Sequence, residues 1–251
     1  MKVIPVMDIL SGVVVHAIRG ERKKYEPIKS VICDSSKPLE VAIAFKEFGF
    51  NRIYVADLDS IIRKGNNYET IRKISKITGL ELMVDGGISD FKSAKEIFNY
   101  NISSLIIGTE TLTSLDFVRS CIKKFGADKI IVSIDTKEGK MLGSSSEINL
   151  KNPAEIASIF ENMGIEKIII LDLARVGSKQ GINWPLLNEI ANKTNVKVII
   201  GGGVRNLNDI VKLDKKGIYG VLIATVIHDG SIKKEDIKIF QSVQEPRKLH
   251  K

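Results

Sequence analysis

Aspartates stand at the ends of short apolar runs in this 251-residue chain. Asp8 follows the run Ile4–Met7, and Asp135 follows the run Ile131–Ile134. Two carboxylates that face each other across a pocket can act as general acid and general base, because one accepts a proton while the other donates one. Asp8 and Asp135 are therefore the predicted catalytic pair. The alternative is that one or both only bind hydroxyl groups or cap a helix.

Small residues follow four other apolar runs and form two similar sets. The first set is Gly86, Gly87, Gly108 and Thr109, and the second is Gly202, Gly203, Ala224 and Thr225. Glycine lets backbone N–H groups come close to an anion, and a helix that begins nearby points its positive end at the same place. Two such sets on opposite sides of one mouth predict a small metabolite with a phosphate at each end. The alternative is that the glycines serve only tight turns between strand and helix.

Runs rich in Ile and Val alternate with stretches of helical spacing along the chain. The eight runs are Val3–Met7, Ile53–Ala56, Leu82–Val84, Leu105–Ile107, Ile130–Ile134, Ile168–Leu171, Val196–Ile200 and Val221–Ile223. Each has the composition of a parallel strand buried on both faces. They predict a single α/β domain over residues 1–251, a (β/α)8 barrel whose active site lies at the carboxyl ends of the strands. The rival doubly wound sheet would need Gly-x-Gly-x-x-Gly after its first strand, which this sequence lacks.

The two halves of the chain resemble each other. Four pairs recur in the same order with separations of 115 to 127 positions: Asp8 with Asp135, Asp57 with Asp172, Gly86 with Gly202, and Thr109 with Thr225. Ordered matches at nearly constant spacing predict a barrel of two similar half-barrels. Asp57, Asp172 and Arg175 are further predicted residues of the mouth. We expect the two aspartates to hold loops in place rather than to react.

Composition and charge exclude several classes of protein. Hydrophobic residues make up 43% of the chain, which excludes a wholly disordered chain. Two cysteines and three histidines are too few for a disulfide scaffold and leave little for a metal centre, so we predict no metal and a reducing, cytoplasmic location. No apolar stretch reaches the ~20 residues that span a bilayer, so we expect no membrane segment. The net charge of +8 comes from scattered lysines, which indicates a solvated surface rather than a nucleic-acid partner.

Together these motifs resemble those of the histidine-biosynthesis barrels, the family of ProFAR isomerase and of the cyclase subunit of imidazole glycerol phosphate synthase. The resemblance covers nearly the whole chain and rests on Ile4–Asp8, Gly12–Val15, Val55–Leu58, Gly86–Ile88, Ser133–Asp135, Asp172–Arg175 and Gly201–Arg205. It implies a duplicated half-barrel that binds a substrate with two phosphates. It also implies a cofactor-free Amadori rearrangement of an aminoaldose phosphate to an aminoketose, with Asp8 as general base and Asp135 assisting or positioning the substrate.

The chain departs from the family pattern at positions that matter for proton transfer. Leu171 stands where the family usually has threonine, and Val176 stands where the isomerase has the aspartate that acts as general acid. Asp85 replaces the first of three usual glycines and is the candidate replacement acid. We therefore expect a diverged isomerase of a phosphorylated aminosugar or related phosphosugar. The alternatives are a cyclase-like lyase that uses ammonia or a glutaminase partner, and a non-catalytic barrel that binds a bisphosphate metabolite.

Overall fold

The computed structural model describes residues 1–144, 148 and 151–244. Its strands are β1 (Lys2–Leu10), β2 (Val13–His16), β3 (Glu26–Pro27), β4 (Arg52–Asp57), β5 (Glu81–Asp85), β6 (Ser104–Gly108), β7 (Ile130–Lys137), β8 (Lys140–Met141), β9 (Lys167–Asp172), β10 (Lys197–Gly201) and β11 (Gly220–Ile223). All except β2, β3 and β8 are parallel and follow one another in chain order around a barrel, which closes where β11 pairs with β1. The predicted (β/α)8 fold is confirmed.

Helices connect the barrel strands. They are α1 (Pro38–Phe48), α2 (Leu58–Ile61), α3 (Tyr68–Thr78), α4 (Phe91–Phe98), α5 (Leu115–Phe125), α6 (Pro153–Asn162), α7 (Trp184–Lys193), α8 (Leu207–Lys215), α9 (Thr225–His228) and α10 (Lys234–Gln244). Local sequence signals set several of their starts. Asp90 and Asn206 each accept a backbone N–H three residues later and so cap α4 and α8. Asn152 and Glu155 form a reciprocal capping box at α6.

The apolar core has two parts, because side chains along each strand point alternately to its two faces. In β4, Ile53 and Val55 point outward into the layer between strands and helices, while Tyr54 and Ala56 point into the barrel. The inner cluster includes one residue from each of several other strands, among them Met83, Ile106 and Ile169. The barrel interior is therefore packed below its carboxyl-end mouth.

The segment after β1 folds over the mouth of the barrel. It forms the hairpin strands β2 and β3 and a 3-10 turn at Arg22–Lys24. The Arg19 N–H donates to the Val176 carbonyl at 2.9 Å, which joins this segment to the loop after β9. A Cβ on Gly177 would lie 2.3 Å from the Ala17 carbonyl oxygen, so the two loops touch through backbone. Among the described residues, no helix combines the length and the apolar character that a membrane crossing needs.

Candidate functional site

A cavity opens at the carboxyl ends of the barrel strands. Its acidic lining residues include Asp8, Asp85, Glu110 and Asp135. Its wall from β10 and β11 includes Gly202, Gly203, Ala224 and Thr225. The cavity thus brings the predicted catalytic pair together with one of the two predicted phosphate-binding sets.

Strand alternation explains which aspartates reach this cavity. Asp85 lies two residues after the inward-facing Met83, and Asp135 lies four residues after the inward-facing Ile131. Asp8 shares the inward parity of β1, where Ile4 belongs to the inner cluster. All three carboxylates therefore point into the barrel mouth, since side chains two apart in a strand share a face.

Asp135 is held by its own strand and by the loop after β6. Its Oδ1 accepts a 2.7 Å hydrogen bond from the Ser133 hydroxyl, and its backbone N–H donates to Thr109 Oγ1 at 3.0 Å. The residue is 5% exposed. A Cβ on Gly108 would lie 3.1 Å from Asp135 Oδ2 and 3.5 Å from Asp85 Oδ2, so the space beside Gly108 is shared by two carboxylates.

Asp85 and Asp8 differ in their hydrogen bonding. Asp85 Oδ2 accepts from the Tyr54 hydroxyl at 3.2 Å, and its Oδ1 accepts from the Gly87 N–H at 3.1 Å. The partly buried Asp8 carboxylate accepts no hydrogen bond from any residue that the structure describes. It is therefore the carboxylate most available to a bound molecule.

Burial raises the pKa values of all three carboxyl groups toward neutral pH. The pKa of Asp8 is raised to about 7, first by burial and then by the nearby Asp85 charge, against the lowering effect of Arg22. The pKa of Asp135 is raised to about 7, first by burial and then by Asp85. Burial raises the pKa of Asp85 to about 6, against the lowering effect of the bonds from Gly87 and Tyr54. Groups with pKa values near 7 can take up and release protons at neutral pH.

Asp57 and Asp172 do not line the cavity, because they point outward at the ends of β4 and β9. Asp57 is fully buried and accepts from the backbone N–H of Ser60 and from both the N–H and the side-chain amide of Asn67. Asp172 accepts from the Asn183 side-chain amide at 2.7 Å and from the Ala174 N–H at 3.1 Å. These contacts support the predicted loop-holding role.

Arg175 also belongs to loop structure rather than to the cavity wall. Its Nε lies 3.3 Å from Asp172 Oδ2, and its Nη1 donates to the Gly181 carbonyl at 2.8 Å. The expectation that Asp57, Asp172 and Arg175 lie at the mouth is therefore corrected. Their side chains lie behind it, where they fix the loops.

The set after β10 and β11 has the features of an anion site. Within the described part of the chain, the backbone N–H groups of Gly202, Gly203, Ala224 and Thr225 donate to no protein acceptor. The His16 Nε2 lies 3.2 Å from Thr225 Oγ1 on the same wall. Unpaired N–H groups that converge on a cavity bind anions.

The glycines of this set are also required by packing. Gly203 has φ +86°, and a Cβ there would lie 2.2 Å from the Gly181 carbonyl oxygen. Gly202 has φ +98°, and its Cβ would lie 2.7 Å from the Asp172 carbonyl oxygen. The tight-turn interpretation therefore holds for both residues, and it is compatible with an anion site on their other side.

The matching set after β5 and β6 does not have these features of an anion site. Gly86, Gly87, Gly108 and Thr109 are not among the residues that line the cavity. The Gly87 N–H is bonded to Asp85, and the Thr109 N–H donates to the Ser133 carbonyl at 2.9 Å. A second phosphate site there stays a prediction, and the hydrogen bonds inside the protein do not favour it.

Sequence reasoning missed an ion pair at the mouth. Arg22 Nη2 donates to the two carboxylate oxygens of Glu110 at 2.8 and 2.7 Å, across 88 positions of sequence. Both side chains are about one-third exposed, at 32% and 35%. Glu110 directly follows Gly108 and Thr109, so its position just after a strand could have predicted that it lies at the mouth. The sequence holds no such signal for Arg22, because only the fold of the long segment after β1 brings it to the mouth.

The wall from the loop after β9 is apolar. Leu171, Leu173 and Val176 all line the cavity. The two departures from the family pattern, at positions 171 and 176, are therefore at the mouth, and they supply no proton donor. The described residues contain no group of three or more His, Cys, Asp or Glu side chains arranged to hold a metal ion.

A family model described as "Histidine biosynthesis protein" matches residues 2–233. The chain belongs to this family. One family relative, an uncharacterised protein of Methanocaldococcus jannaschii, is 36% identical over 94% of this chain and 97% of its own length. Two others are each named 1-(5-phosphoribosyl)-5-((5-phosphoribosylamino)methylideneamino)imidazole-4-carboxamide isomerase, abbreviated ProFAR isomerase. The one from Campylobacter hominis is 34% identical over 92% of this chain and 96% of its own length.

The second isomerase comes from M. jannaschii and is 31% identical over 92% of this chain and 95% of its own length. That organism therefore has at least two proteins similar to this chain. This chain shares more identity with the uncharacterised one than with the isomerase.

Proposed function

We propose that this protein is a cofactor-free isomerase that converts a phosphorylated aminosugar into an aminoketose by an Amadori rearrangement. The observation that carries the proposal is that Asp8 and Asp135, on β1 and β7, line one cavity with the unpaired N–H groups after β10 and β11. The N–H groups would hold the substrate phosphate, and the carboxylates would face the reacting carbons. The relatives named as isomerases agree with this chemistry.

The reaction needs one acid and one base. The acid protonates the ring oxygen of the aminoaldose, so that the ring opens to a protonated imine. The base removes the proton from C2, and the resulting enaminol takes up a proton at C1 and releases the proton of its C2 hydroxyl as it becomes the ketone. No atom is gained or lost, so two titratable groups near neutral pH are sufficient.

Hydrogen bonding and burial suggest how these roles divide. Asp8 is the base, because its carboxylate has no hydrogen-bond partner among the described residues and burial raises its pKa to about 7. Asp85 is the acid. It takes the role that the isomerase gives to the aspartate at the position where this chain has Val176. Asp135 assists the proton transfer or positions the substrate, since Ser133 and the Gly108 loop fix its carboxylate.

The substrate differs from ProFAR in this proposal. Leu171, Leu173 and Val176 make one wall of the cavity apolar. The greater identity to the uncharacterised M. jannaschii protein than to that organism's isomerase is consistent with a changed substrate.

Deuterium exchange tests the proposal whatever the final product is. The protein is incubated in D2O with ProFAR and with the glycosylamines that ribose 5-phosphate forms with simple amines, and the loss of the C2 proton is followed by NMR. We expect the wild type to catalyse exchange and Asp8→Asn to lose at least about 100-fold of the rate, as general-base removal predicts. Equal exchange by Asp8→Asn would show that Asp8 is not the base. Binding of these compounds without exchange would indicate a non-catalytic binding protein.

A further inference from the structure

Tyr54 is a buried titratable residue to which the proposed reaction gives no role. It lies on β4, is 4% exposed and belongs to the inner cluster of the barrel. Its hydroxyl donates to Asp85 Oδ2 at 3.2 Å, and it makes no other hydrogen bond within the described part of the chain. Both side chains line the cavity at the mouth. Tyr54 therefore contacts one of the carboxyl groups assigned to proton transfer.

The register of β4 and β5 explains why the phenol reaches this carboxyl group. Tyr54 pairs with Met83, and two positions further along Ala56 pairs with Asp85. Tyr54 and Asp85 thus lie in adjacent layers of the barrel interior, because inward-facing side chains recur at every second residue of a strand. Ala56 carries only a methyl group, which leaves room for the phenol to extend toward the layer of Asp85. The contact is therefore built from the regular part of the barrel.

Hydrogen bonds hold both oxygens of Asp85. The Gly87 N–H donates to Oδ1 at 3.1 Å, and Tyr54 donates to Oδ2. A carboxylate is a stronger acceptor than a carboxylic acid, so each donor favours the ionised form. Burial raises the pKa of Asp85 to about 6, and these two donors lower it.

Tyr54 keeps its own proton while Asp85 titrates. The pKa of Tyr54 is raised well above its ordinary value, first by burial and then by the charges of Asp85, Asp135 and Asp8. The phenol is therefore a hydrogen-bond donor to Asp85 at neutral pH and not a source of protons.

Four other charged groups act on Asp85 or are acted on by it. They are Asp8 on β1, Arg22 in the segment after β1, Glu110 after β6 and Asp135 on β7. None of them is hydrogen-bonded to Asp85, and the Arg22 guanidinium is bound to Glu110 instead. Among the side chains that the structure describes, only that of Tyr54 forms a hydrogen bond with Asp85.

We propose that Tyr54 is a positioning residue for the acid: its hydroxyl orients Asp85 and stabilises the carboxylate that forms when Asp85 gives its proton to the substrate. In that step the O–H bond of the Asp85 carboxyl group breaks and its electron pair stays on Asp85. The proton forms a bond to the ring oxygen of the aminoaldose. This inference rests on the proposed function, because it needs Asp85 to be the acid.

Carbon-13 NMR of the aspartate carboxyl groups tests the inference without turnover. The signals are followed against pH in the wild type and in Tyr54→Phe, and Asp85→Asn assigns the signal of Asp85. We expect the pKa of Asp85 to rise by about 1 in Tyr54→Phe, since a hydrogen bond to a charged group is lost. The sign separates this role from a role in packing, because looser packing would let water reach Asp85 and would lower its pKa.

Tyr100→Phe is the matched control. The Tyr100 hydroxyl also donates to a carboxylate, that of Glu96, at 3.3 Å. This pair lies at the carboxyl end of α4 and does not line the cavity. The substitution should leave the pKa of Asp85 and the rate of deuterium exchange unchanged.

The pH profile of deuterium exchange at C2 links the contact to the reaction. The optimum for one acid and one base lies midway between their two pKa values, so a rise at Asp85 moves it upward. We expect the optimum of Tyr54→Phe to lie about 0.5 pH units above that of the wild type. A purely structural loss would lower the rate at every pH and leave the optimum in place.

A measurement on the wild type does not depend on the folding of Tyr54→Phe. The ζ carbons of the five tyrosines are labelled and followed by NMR against pH. One tyrosine signal should shift with the same midpoint as the Asp85 carboxyl carbon, because the hydrogen bond from Tyr54 strengthens as Asp85 ionises. The absence of such a signal would overturn the inference.

The outcomes separate this inference from the proposed function. A pKa of Asp85 that is unchanged or lower in Tyr54→Phe, or an exchange optimum that does not move, would overturn the role of Tyr54 and leave the isomerase proposal standing. A raised pKa of Asp85 in Tyr54→Phe, together with no exchange by the wild type, would overturn the isomerase proposal and confirm that Tyr54 controls Asp85.

Discussion

Asn183 donates a hydrogen bond through Nδ2 to Oδ2 of Asp172 at 2.7 Å. The first half of the barrel repeats this contact, where Asn67 Nδ2 lies 2.8 Å from Asp57 Oδ1. The two asparagines are 116 positions apart, the same separation as Gly86 and Gly202. Asn67 immediately precedes α3 and Asn183 immediately precedes α7, so the duplicated pair fixes the chain between each strand and that helix.

Removal of one asparagine should leave a buried carboxylate without its main donor. We expect Asn183→Ala to lower the free energy of unfolding by about 1–3 kcal/mol, the usual cost of an unsatisfied buried group. Asn188→Ala is the control, because Asn188 is an exposed residue of the same helix, and its effect should stay within about 0.5 kcal/mol. Urea unfolding measures both. Equal effects of the two substitutions would show that the Asp172 contact is not important for stability.

The pH dependence of turnover should be bell-shaped. The base Asp8 must be deprotonated, and its pKa is raised to about 7. The acid Asp85 must be protonated, and its pKa is raised to about 6. We expect kcat/KM to peak between about pH 6 and 7, with apparent pKa values that belong to the coupled group rather than to single residues. A rate that rises steadily to about pH 9 would contradict the assignment of Asp85 as the acid.

The same carboxylates should make the protein less stable at high pH. The pKa of Asp8 in the folded protein, about 7, is above the ordinary value of 3.8. Stability from this group is therefore present below about pH 4 and is lost as pH rises through about 7. Asp8→Asn should be more stable than the wild type at about pH 8.5, by about 1–2 kcal/mol, and no different at about pH 4. Thermal melts at the two pH values measure this, and an identical difference at both would refute it.

Gly203 should be the most sensitive residue of the anion site. Gly203→Ala forces a Cβ against the Gly181 carbonyl, and we expect a loss of more than about 2 kcal/mol in stability together with weaker phosphate binding. Gly139→Ala is the matched control, since Gly139 also has a positive φ but has no atom within 4 Å of the added Cβ. That variant should lose only about 1 kcal/mol. If both variants behave alike, close packing at Gly203 has no special role.

The fold could be predicted well because the barrel strands have a strong local signal. All eight apolar runs correspond to barrel strands. The cavity-facing position of Asp8 and Asp135 followed from strand ends. Alternation within the strands could also have separated them from Asp57 and Asp172, which have the opposite parity.

Other parts of the site depend on contacts that are distant in sequence. Arg22 reaches Glu110 only because the segment after β1 folds over the mouth. The second predicted phosphate site came from symmetry of glycine positions alone. The Gly87 N–H of this set donates to Asp85, which takes the place of a glycine. The second site therefore stays a prediction that the repeat alone supports.

A crystal structure with a bound ligand tests the central claim most directly. The ligand is a stable secondary amine made by reductive amination of ribose 5-phosphate with ethanolamine, soaked into crystals of the wild-type protein. We predict that its phosphate lies on the N–H groups of Gly203 and Thr225, with C1 and C2 of the former sugar between Asp8 and Asp135. Phosphate density beside Gly87 and Thr109, or carbons C1 and C2 out of reach of both aspartates, would contradict the account.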